Sequence, residues 1–138
     1  MIAYVDSSVL LRRVLGQPDT LAEWSLLDRA FTSRLAEVEC ARVLDRLRLQ
    51  GELTEAGHTL RVGALRDLLE AVERVELNTT ILRRAAEPLP VPLKTLDALH
   101  LTTALALGYH LDAPPLMATH DRGLARASRA LGLRVIGV

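Results

Sequence analysis

Cysteine is nearly absent: Cys40 is the only one in 138 residues. An intramolecular disulfide and a thiolate zinc cluster are therefore excluded. Cys40 falls in a helical pattern with Ala36, Val43, Leu44 and Leu47, where a small, weakly polar side chain is expected to be buried and inert. Aromatic residues are scarce too; Tyr4, Trp24, Phe31 and Tyr109 make up the whole complement. Lysine is reduced to Lys94, so sixteen of the seventeen bases are arginine. Arginine grips phosphate bidentately, but so uniform a bias is explained more simply by a codon preference. Basic and acidic residues cancel to a net charge of zero, so total charge supplies no argument for a polyanionic partner. No uncharged stretch is long enough for a membrane span. The start, M-I-A-Y-V-D-S-S, lacks a basic leader and is expected to be the first strand of the fold rather than a signal peptide, which places the protein in the cytoplasm.

What is present fits one globular domain over residues 1–138. The chain is long enough for a proper core, with 49% apolar and 25% charged residues. Short apolar runs alternate with longer helical periods. Strands are expected near Ile2–Val5, Ala30–Thr32, Val75–Leu77, Pro115–Thr119 and Arg134–Val138, with helices between them. Such alternation predicts a mainly parallel sheet covered on both faces. Two successive helices, Arg34–Leu49 and Thr54–Arg74, meet around Gln50–Gly51 as a helical hairpin. In the second of these, Leu60, Ala64, Leu65, Leu68, Leu69 and Val72 are expected to form the buried stripe. Pro88, Pro90 and Pro92 mark a stiff loop, and Thr95 is the expected N-cap of the next helix.

Four acids fall where an open α/β sheet brings chain segments together. Asp6 follows the first strand and Asp121 follows L-M-A-T-H; each lies at a strand's carboxyl end as a helix begins, where ligands bind in such sheets. Aspartate is also a favoured N-cap, so capping explains each of these two taken alone. Asp97 is less easily explained. It sits in L-D-A-L-H-L, a helix apolar almost all round, and projects between Leu101 and Ala104 at about 100° per residue. A carboxylate there needs a partner, although its first-turn position gains something from the helix dipole. His100, on a neighbouring face, is expected to serve the core or a hydrogen bond rather than a metal. Glu37 and Glu39 compete for a fourth position on the first helix of the hairpin; both flank its apolar stripe, and periodicity leaves them tied. Carboxylates gathered on one edge repel one another unless a cation lies among them. Without cysteine or paired histidines, the donor set is oxygen and suits Mg²⁺ or Mn²⁺.

With these residues identified, the chain resembles the PIN-domain ribonucleases, most closely the VapC toxins of type II toxin–antitoxin pairs. The resemblance rests on V-D-S-S-V-L-L, S-R-L-A-E-V-E-C-A-R-V-L, L-D-A-L-H-L-T-T-A-L, and A-T-H-D-R-G-L-A-R-A followed by G-L-R-V-I. These occur in the family's order across the chain. It implies a PIN-like three-layer α/β/α sandwich with a central sheet of about five strands. It gives Asp6, Glu39, Asp97 and Asp121 the catalytic and metal-holding roles, with Ser8 and Thr119 as helpers. Glu39 is preferred to Glu37 because the family spacing S-x-L-x-x-x-E-x-x-R lands on Ser33, Leu35, Glu39 and Arg42; the second glutamate is a departure from that pattern. The implied activity is Mg²⁺- or Mn²⁺-dependent endoribonuclease cleavage by water, leaving a 5′-phosphate and a 3′-hydroxyl. Arg12, Arg13 and Arg42, near the same edge, are candidates for holding the RNA backbone. With so few aromatics, recognition should depend on RNA shape and exposure more than on base stacking. Implied partners are an RNA substrate, a small VapB-like antitoxin covering the acidic groove, and a second copy in a homodimer.

Other readings are a PIN nuclease acting in RNA processing outside a toxin–antitoxin pair, and a catalytically silent interaction module whose acids only cap helices. A receiver domain would need a phosphoacceptor aspartate after a middle strand, where this chain has helical sequence. A haloacid-dehalogenase-like phosphatase would need an aspartate at Ser8.

Overall fold

A computed structural model describes every residue from Met1 to Val138. The chain runs through β1 (Ile2–Val5), α1 (Ser7–Val14), a 3₁₀ turn at Ala22–Leu26, β2 (Arg29–Ser33), α2 (Arg34–Leu49) and α3 (Glu55–Glu70). It continues through β3 (Glu73–Val75), α4 (Thr79–Ala85), α5 (Thr95–His110), β4 (Leu116–Ala118), α6 (Arg122–Ala130) and β5 (Val135–Ile136). The five strands form one wholly parallel sheet in the order β3-β2-β1-β4-β5.

Period-two alternation along the central strands divides the core into two. Ala3, Val5, Leu116 and Ala118 face a layer built from α1, α2 and α3, with Val9, Leu10, Leu44, Leu65 and Leu69 buried against them. Tyr4, Phe31 and Met117 face the opposite layer, where α5 and α6 contribute Leu101, Ala104, Leu107 and Leu124. Strands buried on both faces are the reason the sequence shows apolar runs rather than polar alternation. The result is the expected three-layer α/β/α sandwich, with α2 and α3 as the helical hairpin and Gly51 at φ 74° in its turn.

Short polar residues start most helices. Asp6, Ser33, Thr54, Asn78 and Asp121 each accept a hydrogen bond from a backbone amide of the first turn, satisfying one of the orphan donors there. Cys40 is fully buried, as expected, and burial beside Glu39 and Asp6 pushes its thiol up to about 12.

Several local expectations need correction. The second hairpin helix ends at Glu70 rather than Arg74, because Glu73–Val75 is taken up as an edge strand paired to Phe31–Ser33; Val75–Leu77 was the expected span. Leu60 is 67% exposed and does not join the buried stripe, which is carried by Leu65 and Leu69 with Val72 just beyond the helix. Thr95 is not an N-cap: Lys94 occupies that position without a side-chain cap, and Thr95 lies in the first turn. On α5, Leu96 is 45% exposed although the rest of the central helix is largely buried.

Candidate functional site

The strand order reverses direction at the centre of the sheet: the chain builds outward from β1 to β2 and β3, then returns to lay β4 on the other side of β1. In open α/β sheets that switch point leaves a crevice at the carboxyl ends of the two strands. Val5 pairs with Ala118 at the last position of β1 and β4. Asp6 and Asp121 follow within one and three residues, so the fold itself brings them to the crevice. Glu39, in the second turn of α2, enters from the β2 side, and Asp97, in the first turn of α5, enters from the opposite layer.

Each carboxylate is held differently. Asp6 is 4% exposed. Its Oδ1 accepts from the Ser8 hydroxyl at 2.7 Å and from the Val9 amide at 3.4 Å. Burial raises its pKa, against the opposing pull of Ser8, His100 and Thr119. Ser8 in turn accepts from the His120 amide at 2.9 Å, tying the start of α1 to the segment after β4. Thr119 is fully buried and accepts from the Asp121 amide at 2.9 Å. Asp121 spends Oδ1 on the Leu124 amide at 2.8 Å. Glu39 uses Oε1 for both of its contacts, the Ser7 hydroxyl at 2.7 Å and His100 Nε2 at 2.5 Å. Burial pushes the Glu39 carboxyl up, but His100 and Ser7 outweigh it and leave it below the usual glutamate range.

Asp97 differs from the other three. No hydrogen bond relieves it; burial raises its pKa first, and the Asp121 and Glu39 carboxylates raise it further, with His100 and Lys94 pulling the other way. The Asp6 and Glu39 charges are both felt by Tyr4 and Cys40 beneath them. The four acids therefore share one electrostatic neighbourhood. As they stand, no three His, Cys, Asp or Glu side chains close on a common point. The donor chemistry nevertheless fits a hard divalent cation. Glu39 and Asp121 each turn one oxygen to the protein and keep a second available, and Asp97 keeps both.

Glu37 is separated from this group. It is tied to Arg34 at 3.1 Å and Arg74 at 2.9 Å on the surface; burial is the largest single influence and raises its carboxyl, but the two guanidinium groups together outweigh it and lower the carboxyl. The tie that periodicity left open is thus broken by where α2 packs. The three candidate arginines already have neighbours: Arg12 donates to the Asp19 carbonyl at 3.1 Å, Arg13 lies 4.7 Å over the Trp24 ring, and Arg42 pairs with Asp45 at 2.9 Å.

Two residues that the sequence reading left out lie against these acids. Ser7 was passed over for Ser8, although consecutive residues in a helix's first turn point about 100° apart; one serine turns to Asp6 and the other crosses to Glu39. Tyr4 was counted only among the scarce aromatics, and its hydroxyl meets His100 Nδ1 at 2.7 Å. His100 itself is 1% exposed and bonded, which agrees with its expected hydrogen-bonding role. His120 donates through Nδ1 to the Gly137 carbonyl at 2.7 Å, while its buried Nε2 has no partner. Gly137, at φ 95°, is required there, since a Cβ would lie 2.7 Å from the Thr119 carbonyl oxygen.

Comparison with known proteins agrees with this layout. The family described as PIN domain matches residues 3–130. Ribonuclease VapC35 of Mycobacterium tuberculosis is 34% identical over 142 residues, covering 96% of this chain and 94% of that protein. Ribonuclease VapC46 of the same organism is 31% identical over 133 residues, covering 96% and 95%. Among solved structures, PAE2754 from Pyrobaculum aerophilum superposes with a TM-score of 0.69 at 18% identity, covering 98% of this chain and 83% of that one. VapBC2 from Rickettsia felis, bound to a DNA fragment from its promoter, superposes with a TM-score of 0.68 at 13% identity, covering 98% and 97%. At those identities the structures speak for the fold alone, whereas the sequence matches run nearly end to end. With the family's residues present in order on its expected sheet, the chain belongs to the PIN domain family.

Proposed function

We propose that this protein is a metal-dependent endoribonuclease, the VapC-type toxin of a type II toxin–antitoxin pair. The observation that carries the reading is Asp97, a half-buried carboxylate without a hydrogen bond whose nearest charges include two further carboxylates. Structural acids are paired; this one is kept unpaired beside others of its own sign. The names of the M. tuberculosis relatives, both ribonucleases, support the same chemistry.

In this reading Asp6, Glu39, Asp97 and Asp121 would hold one or two Mg²⁺ or Mn²⁺ ions. When bound, such an ion supplies a water of lowered pKa and positive charge against the scissile phosphodiester. The chain's own work is positional. Ser8 fixes the Asp6 carboxylate, Thr119 anchors the turn that presents Asp121, and His100 with Ser7 keeps Glu39 ionised and in place. No side-chain nucleophile is needed. RNA phosphates would be gripped by arginines at the rim, with Arg12, Arg13 and Arg42 as candidates. RNA would have to draw each from its present neighbour, so these contacts should add modest, salt-sensitive affinity.

No helix is long and apolar enough to cross a membrane, and we place the protein in the cytoplasm as one domain over residues 1–138. Its partners are an RNA substrate, a VapB-like antitoxin laid over the acidic crevice, and a second copy of the chain. The end groups of the cleaved RNA test the chemistry. Water attack leaves a 5′-phosphate that a ligase accepts directly; a 2′,3′-cyclic phosphate would mean attack by the RNA 2′-hydroxyl and would reject the metal–water mechanism.

A further inference from the structure

The buried polar groups of this fold are not distributed evenly. One chain of them runs from the middle of the sheet to the edge of the candidate site. Tyr4, at 0% exposure on β1, reaches His100 Nδ1 at 2.7 Å. His100, at 1% exposure on α5, reaches Glu39 Oε1 at 2.5 Å through Nε2, which also lies 3.1 Å from the Ser7 hydroxyl. Ser7 donates to the same Glu39 oxygen at 2.7 Å. Four separate elements, β1, α5, α1 and α2, are thereby joined by hydrogen bonds in the core.

The direction of the chain follows from its donors and acceptors. An ionised Glu39 only accepts, so Nε2 carries the hydrogen, and in the neutral ring Nδ1 is then an acceptor. Only the Tyr4 hydroxyl is placed to donate to Nδ1. Which ring nitrogen of a histidine carries the hydrogen is set by the bond the other one makes. Glu39 therefore decides that His100 presents a donor, and the Tyr4 hydroxyl completes that arrangement by donating to the lone pair left on Nδ1.

We propose that Tyr4 and His100 are positioning residues for Glu39: the tyrosine, by donating to Nδ1, reinforces the histidine tautomer that donates to Glu39, and the histidine holds Oε1 so that Oε2 faces the crevice as a cation ligand. This rests on the reading of Glu39 as a ligand. Neither residue touches substrate or cation; they act through the carboxylate, as outer partners do for other metal ligands. Tyr4→Phe removes a single oxygen at constant volume, and His100→Gln retains an amide donor near the place of Nε2 while His100→Leu removes it.

The experiment joins two readouts on the full chain. Ring ¹⁵N shifts of His100, recorded without metal in wild type and Tyr4→Phe, report the tautomer. Mn²⁺ affinity of wild type, Glu39→Gln, Tyr4→Phe, His100→Gln and His100→Leu reports the ligand. Wild type should show the hydrogen on Nε2, and Tyr4→Phe should shift the ring pattern. Tyr4→Phe and His100→Leu should weaken Mn²⁺ binding about 10- to 100-fold, with His100→Gln staying within a few-fold of wild type. Circular dichroism melts establish that each variant is folded. If Glu39→Gln weakens Mn²⁺ binding but folded Tyr4→Phe does not, the positioning role is overturned while the metal site stands. If Glu39→Gln has no effect on Mn²⁺ either, Glu39 is not a ligand and both readings fall. Hydrogen on Nδ1 in wild type also overturns the proposal.

Discussion

Asp97 feels the charge of Glu39, yet the two should respond to pH in opposite directions. Burial, Asp121 and Glu39 hold the Asp97 pKa above the usual aspartate range. The native state therefore binds more protons than the unfolded chain between the two values, and stability falls as pH rises through that window. Asp97→Asn should melt higher than wild type at pH 7 in EDTA, with the gain fading as pH drops below the ordinary aspartate range. Asp6, raised chiefly by burial, should behave alike: Asp6→Asn keeps the cap and removes the buried charge, for a gain of about 2–4 °C. Glu39 is the reverse case, with its carboxyl lowered. Its contribution is present above the usual glutamate range and lost as pH falls through the lowered native value, so Glu39→Gln should melt below wild type at pH 7. Thermal melts of the three variants across pH 3–8 check the signs. An acid whose removal stabilises the fold is one retained for another reason.

At the level of elements, helix starts carry both structure and site. Asp121 caps α6 through Oδ1. Asp121→Ala should cost about 1 kcal/mol of stability, and Asp121→Asn should recover most of it. If Asp121 also serves the cation, neither variant should recover activity; assaying both separates the cap from the ligand. Much of this level was legible in the chain: Asp6 and Asp121 could be placed because a strand, an aspartate and a helix follow one another in both segments. Whether either also serves as a ligand was not, since a cap and a ligand look identical in sequence. Glu39 and Glu37 were tied for the same kind of reason. Periodicity says which side of α2 is apolar, but only the packing of α2 beside β1 shows one glutamate against His100 and the other against Arg34 and Arg74. The strand at Glu73–Val75 was expected two residues late, at Val75–Leu77, because Glu73 and Arg74 are charged and exposed; its pairing to β2 is made by the backbone, with the Arg29–Glu73 ion pair across it. Tyr4 and His100 are 96 positions apart, and no local pattern could join them.

For the molecule as a whole, the two-sided parallel sheet supplies rigidity and its switch point supplies the place where four segments converge. A cation that binds only the native state should raise stability by mass action, by about 2.7 kcal/mol at a concentration 100 times its Kd. In a chain of this size that is an increase in Tm of several degrees. Mn²⁺ should produce it in wild type and much less of it in Asp97→Asn, as differential scanning calorimetry would register. RNA binding by an inactive variant should also weaken steeply with salt, because phosphate contacts release counterions. The most direct measurement is cleavage of total RNA by the antitoxin-free protein with Mg²⁺ or Mn²⁺, for wild type, Asp6→Asn and Asp97→Asn, with EDTA as control. Discrete cuts by wild type alone, abolished by EDTA and reduced at least about 100-fold in both folded variants, are what the four-acid site predicts. Cleavage that persists in EDTA or in the folded variants would contradict it.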